Sequence, residues 1–271
     1  MSTRAPERPA PTPAASPQID PRIRARRIEV QRDAGRKRLR RLGIGGGVVG
    51  GVVMLWGLTL TPLLDVDTIR IEGADRTGDE PVLDALDIRH GDALLTVDVD
   101  GASRAVSDLP WVATASVRRS WPGTVVVSVV ERTPVAAIEA TGDGWVLVDA
   151  GGRQLAVERE PAVDLVRVAG RPLDPAPGVA AGDRYTGALH LAAAIPPSLR
   201  ARIQALWPQR DGSVEASVSL PIGGTATARF GDGDQLEAKL VALAAVLERA
   251  DLHGVRFIDL RVPAAPALTR G

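Results

Sequence analysis

The sequence predicts an α+β protein in which a single membrane-spanning helix precedes two small domains rich in strands. Three observations predict this class: residues 42–64 carry no charge, short alternating apolar segments follow them, and no later stretch is comparably long and apolar. At ~1.5 Å per residue a helix over 42–64 is about 34 Å long, enough to cross a hydrocarbon core of about 30 Å. The chain contains no cysteine, so its domains do not depend on disulfides.

The charge pattern predicts which side of the membrane each part occupies. The chain has 33 basic and 33 acidic residues, but residues 1–41 hold 12 Lys/Arg against four Asp/Glu. Positive charge beside a span stays in the cytoplasm, so we predict a cytoplasmic tail over 1–41 and extracytoplasmic domains after residue 64. An arginine-rich run can also bind nucleic acid, but its position against the span favours the membrane. The basic residues that flank the span are Arg36, Lys37, Arg38, Arg40 and Arg41.

A cleaved signal peptide is the alternative interpretation of 42–64. The apolar core of a signal peptide is ~7–15 residues long and ends at a small-x-small site. This run is longer, follows a 41-residue tail and ends without such a site, which favours an uncleaved anchor. The six prolines of residues 1–21 predict that the tail is disordered.

The first unit after the span, 65–133, is predicted to have the order β-α-α-β-β. Thr77 and Glu80 have the spacing of a capping box and begin the first helix. Asp100 is expected to cap the second helix, which must end before a proline. The predicted strands are 66–73, 112–119 and 124–132, the last two joined by a Trp-Pro-Gly turn.

The second unit, 134–262, is predicted to be a mostly antiparallel sheet with helices. Ser198 is expected to cap one helix, and Asp234 with Glu237 the longest one. Nothing after Pro263 is expected to form a strand, so 263–271 is predicted to be a flexible tail. The predicted strands are 145–148, 154–157, 165–168, 214–220, 225–230 and 257–262, and the predicted helices are 188–195, 198–203 and 235–250.

Several segments, taken in order, resemble a POTRA domain and a following β-domain. The POTRA-like segments are Ile69-Arg70-Ile71-Glu72-Gly73, Leu94-Leu95-Thr96-Val97-Asp98, Leu109-Pro110-Trp111-Val112 and Ser120-Trp121-Pro122-Gly123. The segment 229–240 and the strand 258–262 are similar to the β-domain. A POTRA domain placed directly after one span resembles the bacterial FtsQ/DivIB family. The resemblance implies a non-enzymatic inner-membrane protein, enriched at the division septum, that binds FtsB- and FtsL-type partners and links them to septal peptidoglycan synthesis.

The resemblance also implies where such a partner binds. In this family the last strands of the β-domain are the docking surface, and a strand at a sheet edge offers free N–H and C=O groups to an added strand. The other interpretation is that the apolar side chains of this strand are core. The residues assigned to partner binding are Ile258, Asp259, Leu260, Arg261 and Val262.

The sequence contains no motif that predicts catalysis, a metal site or a cofactor. The three histidines, His90, His190 and His253, belong to different predicted elements without metal-ligand spacing. Two other function classes remain open at this point. An envelope chaperone or translocation module would need repeated POTRA domains and a membrane barrel, and an anchored envelope hydrolase would need a convergent polar cleft.

Overall fold

The computed structural model describes residues 43–54, 57 and 65–271. The chain divides into two compact units, Met1–Thr61 and Pro62–Gly271. In the first unit residues 43–54 are helical, and the apolar side chains of this helix are exposed. Within the residues described, no helix has both the length and the apolar character needed to cross a bilayer. The rest of the predicted span 42–64 and the basic tail 1–41 lie outside the described residues.

The second unit begins with a three-stranded sheet covered on one face by two helices. Its strands are in the order β1-β3-β2, with β1 parallel and β2 antiparallel to β3. Val125, Val127 and Val129 alternate along β3 and pack in one buried cluster with residues of both helices. The predicted β-α-α-β-β order is confirmed. The elements are β1 (Thr68–Glu72), α1 (Asp79–Leu86), α2 (Val99–Ser107), β2 (Val112–Ser120) and β3 (Thr124–Glu131).

Both predicted caps in this domain are wrong. Helix α1 follows Gly78 and has no side-chain cap. The Thr77 hydroxyl donates instead to the Glu131 carboxylate, 2.7 Å away at the end of β3. Helix α2 is capped by Asp98, which accepts a hydrogen bond from the Gly101 N–H at 2.9 Å, so the predicted cap Asp100 lies inside the first turn.

A nine-stranded mixed sheet forms the rest of the unit. Its order is β12-β11-β10-β9-β8-β7-β4-β5-β6, and the pairs β10–β11, β4–β7 and β7–β8 are parallel while the other five are antiparallel. The strands are β4 (Pro134–Ala140), β5 (Trp145–Asp149), β6 (Gln154–Glu158), β7 (Val166–Leu173), β8 (Ile203–Pro208), β9 (Val214–Ser219), β10 (Thr225–Gly231), β11 (Val255–Asp259) and β12 (Ala267–Arg270). The helices are α3 (Thr186–Ala194), α4 (Pro197–Arg200) and α5 (Leu236–Arg249).

The main core lies between this sheet and its helices. Leu189 and Leu191 of α3 and Leu243 of α5 are fully buried in one cluster with Phe230 and Ile258 from the sheet. Burying side chains of this size contributes roughly 1.5–3 kcal/mol each. The apolar face of α5 therefore packs in the same core as Phe230 of β10 and Ile258 of β11.

Two helix starts predicted in this domain are wrong. Helix α4 starts without a cap from Ser198 and ends at Arg200, and the buried Ile203 then begins β8. Asp234 does not cap α5, because the residue before the helix is Gln235 in a left-handed conformation. The buried Lys239 donates from Nζ to the Asp232 carboxylate at 2.9 Å, which closes this loop in place of a cap.

Arg132 lies at the joint between the two domains. Its guanidinium donates to the Asp149 carboxylate at 2.7 Å and to the Val112 carbonyl oxygen at 2.9 Å. A second arginine, Arg153, donates to the carbonyl oxygen of Asp108 at 2.7 Å. The Trp111 ring packs against a small apolar cluster of β4, β5 and β6, so apolar and polar contacts both join the domains.

The chain ends in a strand that the sequence does not predict. Residues Ala267–Arg270 form β12, which pairs antiparallel with β11 through Asp259↔Ala267 and Ile258↔Leu268. The prediction that 263–271 is a tail without a strand is therefore wrong. Leu268 is half-buried against the main core, and this contact stabilises a strand that is too short to persist alone.

Candidate partner-binding edge

Of the five residues predicted to bind the partner, only Ile258 and Asp259 lie in a strand, and that strand is inside the sheet and not at its edge; residues 260–262 follow it. Val255–Asp259 forms β11, with β10 on one side and β12 on the other. Ile258 and Leu260 are fully buried, and the Leu260 N–H donates to the carbonyl oxygen of Arg229 at 2.9 Å. The premise that this strand has a free edge is therefore wrong. The interpretation of its apolar side chains as core is correct for Ile258 and Leu260, whereas Val262 is 61% exposed.

The free edge belongs to β12. Within residues 65–271 no strand lies beyond it, so one side of its backbone has no ladder partner. The Gly271 N–H donates inward to the Gly254 carbonyl oxygen at 3.0 Å. Because successive residues of a strand point their N–H groups to opposite sides, Arg270 and Leu268 direct theirs away from β11. Unpaired groups of this kind are a template for an added strand.

Charged side chains surround the end of β11. Arg261 Nη2 donates to Asp259 Oδ2 at 2.6 Å, and Arg261 Nε donates to Oδ1 at 3.0 Å. These hydrogen bonds lower the pKa of Asp259 below its ordinary value, against the opposing effect of partial burial. Arg229, which is opposite Asp259 in the ladder, pairs with Glu215 at 3.2 Å. Its guanidinium also lies 4.4 Å from the centre of the Phe257 ring.

The opposite end of the sheet is partly covered. The segment 176–181 runs beside the start of β6, and the Gln154 N–H donates to the Val179 carbonyl oxygen at 2.9 Å. The Gly178 N–H donates back to Gln154 at 2.8 Å, and the Ala176 N–H binds the Gln154 side chain at 2.8 Å. Of the two ends of the nine-stranded sheet, β12 is the one without such a cover.

In the described part of the chain, no group of three or more His, Asp or Glu residues is placed so that it could hold a metal ion. The three histidines remain in separate elements. His253 Nδ1 lies 2.9 Å from Asp251 Oδ1 in an exposed loop, a local contact between residues two apart.

Known proteins match both domains. Residues 64–132 match the family model described as POTRA domain, FtsQ-type, and residues 137–261 match the model described as Cell division protein FtsQ/DivIB, C-terminal. A protein named Cell division protein FtsQ from Myxococcus fulvus is 32% identical over 221 residues, covering 79% of this chain and 75% of the relative.

The chain belongs to the FtsQ/DivIB family of cell division proteins. Its Streptomyces coelicolor relative is 28% identical over 224 residues, covering 81% of this chain and 83% of the relative. The Corynebacterium glutamicum relative is 34% identical over 126 residues, which is 46% of this chain and 56% of that protein. Both carry the name Cell division protein FtsQ. The predictions of the family, the POTRA domain and the β-domain are confirmed.

The FtsQ/DivIB C-terminal match ends at residue 261, before β12 begins. Sequence reasoning missed this strand because two prolines precede it and only four residues form it. A signal was present nonetheless: in Ala267-Leu268-Thr269-Arg270 a single apolar residue lies among polar and small ones, next to a β-branched threonine. The five basic residues predicted to flank the membrane, Arg36, Lys37, Arg38, Arg40 and Arg41, lie outside the described residues.

Proposed function

We propose that this chain is a non-enzymatic scaffold of the bacterial division machinery that captures an FtsB/FtsL-type partner by strand addition at β12. Through that partner it would influence septal peptidoglycan synthesis. The observation that supports the proposal is the uncovered edge of β12, which lies in the domain matched to the FtsQ/DivIB family. Main-chain hydrogen bonds to such an edge supply affinity, and neighbouring side chains supply specificity.

The residues assigned from the sequence keep a role in this proposal. Ile258 and Leu260 act indirectly, because their burial fixes β11 and therefore β12. Asp259, Arg261 and Val262 are proposed to contact parts of the partner beyond the added strand through their side chains, which remain accessible: the Arg261 side chain is 64% exposed and the Asp259 side chain 27%. A complementary partner would present an acidic group to Arg261 and an apolar one to Val262.

The proposal includes the topology predicted from the sequence. We propose a single pass over 42–64, a cytoplasmic tail over 1–41 held at the inner leaflet by its arginines, and extracytoplasmic domains at the septum. The helical segment 43–54 supports this placement because its exposed side chains include Val48, Val49, Val52 and Val53. Exposed apolar surface on an isolated helix is costly in water and is stabilised by lipid.

The test compares two substitutions at one position of β12. Arg270→Pro removes an outward N–H, whereas Arg270→Ala removes only the side chain and keeps the backbone donor. One main-chain hydrogen bond is worth about 1 kcal/mol, so the proline variant should bind the FtsB-type partner at least about fivefold more weakly than the alanine variant. Binding is measured with the full-length chain in nanodiscs. Equal affinities for the two variants would place the partner elsewhere.

Crosslinking gives an independent readout. Because the chain has no cysteine, a single one can be introduced at Thr269 of β12 or, as the control, at Val157 of β6. Val157 is also exposed but lies at the other end of the same sheet. Disulfide formation with a partner cysteine is expected at position 269 and not at 157, and the reverse result contradicts strand addition at β12.

A further inference from the structure

We propose that the end of the POTRA domain nearest its first residue forms a lipid-contacting surface, with Trp121 and Leu95 as the side chains that enter the bilayer interface. This inference rests on the predicted span over 42–64, but not on partner binding at β12. It concerns three loops, 65–67, 89–96 and 119–123, which we call the POTRA tip.

Backbone hydrogen bonds hold these loops together around the first described residues of the domain. Asp65 forms an antiparallel bridge with Ala93, and the Val66 N–H donates to the Asp92 carbonyl oxygen at 2.8 Å. On the other side, the Asp67 N–H donates to the Gly123 carbonyl oxygen at 2.7 Å. The loops that carry Leu95 and Trp121 are thus tied to a segment that starts at Asp65.

Chain connectivity places this segment beside the bilayer. Asp65 follows directly after residue 64, the predicted end of the span, and consecutive Cα atoms are about 3.8 Å apart. Ala93 and Gly123 bond to this segment, and Leu95 and Trp121 are each two residues away from those contacts. Two residues of extended chain reach about 7 Å at most. From residue 64, the step to Asp65, a backbone contact of about 5 Å and two further residues add up to about 16 Å at most, so the POTRA tip has to face the bilayer for both side chains to reach the headgroup region.

Both side chains are unusually exposed for their size. Trp121 is 55% exposed and Leu95 is 49% exposed, although the adjacent Leu94 is fully buried in the domain core. Trp is enriched where a membrane meets water, because its ring is apolar and its N–H can still reach a polar partner. An exposed Trp on a loop that contacts the first residue after a span matches that preference.

The charge of the POTRA tip argues for an apolar rather than an electrostatic attraction. Asp65, Asp67 and Asp92 supply three carboxylates, while Arg89 and Arg119 supply two guanidinium groups. An anionic lipid surface attracts about 1 kcal/mol per basic residue beside it, but here three carboxylates outnumber two guanidinium groups, so the POTRA tip gains no net electrostatic attraction. The surface is therefore expected to bind neutral phosphatidylcholine as well as anionic lipid.

Spin labels in the full-length chain test this arrangement. Leu95→Cys reports on the POTRA tip, and Val130→Cys is the matched control because it is also an exposed aliphatic residue of the same domain. Val130 lies six residues along β3 from Thr124, roughly 20 Å from the tip end of the strand. In phosphatidylcholine nanodiscs we measure the oxygen-to-nickel ratio, which is the accessibility of the spin label to oxygen divided by its accessibility to a water-soluble nickel complex. This ratio should be several-fold higher at position 95 than at position 130. Equal, water-like values at both positions overturn the proposal.

Two further measurements distinguish lipid contact from contact with a protein and test the span itself. In the Leu95→Cys chain, Trp121→Ala should lower the oxygen-to-nickel ratio, while Trp121→Phe should retain most of it. A label at Val49→Cys reports on the span, and water-like accessibility there would overturn both the span and the lipid contact without bearing on β12. Shielding of position 95 from both reagents only after a partner protein is added would assign the tip to that protein and overturn the lipid assignment.

Discussion

Replacing Glu131 by alanine is predicted to release the loop between β1 and α1. The carboxylate accepts hydrogen bonds from three donors: the Arg76 N–H at 2.9 Å, the Thr77 N–H at 2.6 Å and the Thr77 hydroxyl at 2.7 Å. At about 1 kcal/mol each these amount to about 3 kcal/mol. Glu131 is only half-buried, and water replaces part of the lost contact, so we expect about 2 kcal/mol.

Hydrogen exchange measures this loss at the two amides concerned. A local opening made easier by about 2 kcal/mol raises the exchange rates of Arg76 and Thr77 about 30-fold. The matched control is Glu80→Ala. If the capping box suggested by the sequence were present, Glu80→Ala would loosen the start of α1 and Glu131→Ala would leave it unchanged. That pattern of exchange would refute the reasoning.

The same site has a pH signature. Partial burial acts to raise the pKa of Glu131, but the hydrogen bonds from Thr77 and Arg76 outweigh it and leave the pKa below its ordinary value. A carboxyl whose pKa is lowered on folding contributes stability that is complete above the unfolded-state pKa, about 4.3 for Glu, and is lost as pH falls through the lowered value. Protection of the Arg76 and Thr77 amides from hydrogen exchange should decrease as pH falls through the lowered pKa of Glu131. Above the unfolded-state pKa it should be independent of pH.

Three other perturbations have defined outcomes. The hydrogen bond from Lys239 lowers the pKa of Asp232. The ionised carboxylate therefore stabilises the fold above the ordinary Asp pKa, and this stabilisation is lost as pH falls through the lowered value. Asp232→Asn should flatten the acid side of the profile of melting temperature against pH. Gly73 and Gly91 both have positive φ, but only at Gly73 would a Cβ collide with a carbonyl oxygen of β3. Gly73→Ala should therefore reduce the free energy of unfolding by about 1–3 kcal/mol more than Gly91→Ala in denaturant titrations. Phe230→Ala, in the main core, should reduce it by about 3–5 kcal/mol, and a smaller loss would show that the core collapses into the cavity.

The POTRA domain was predictable because its signals are local. The five valines within 124–130 and the Pro-Gly turn before them favour a hairpin strand without reference to distant residues. The caps were not predictable, since each depends on a contact made elsewhere in the fold. Thr77 has the right spacing for a capping box, but Glu131, 54 residues away, provides a charged acceptor for both its N–H and its hydroxyl.

At the candidate site too, the features with local signals were predictable and those that depend on distant contacts were not. The strand predicted over 257–262 corresponds to β11, which the structure places at Val255–Asp259, and Ile258 of this strand is part of the main core. The neighbouring strand β12 was missed because it has only four residues. Their preference for a strand is weak, and the two prolines that precede them indicate a turn or loop. Leu268 gains enough from the main core to order the segment, and this tertiary contact cannot be seen in the sequence.

The nine-stranded sheet has an asymmetry that limits how copies of the chain can assemble. Extension of a sheet from molecule to molecule needs a free strand at both ends, and here the run 176–181 occupies part of the β6 side. Two copies could still meet β12 to β12 about a twofold axis, but that pair would hide the backbone groups that we propose a division partner binds. Under the proposed binding at β12, self-pairing and partner capture would compete for one strand, and the partial cover of β6 disfavours growth of the sheet from molecule to molecule.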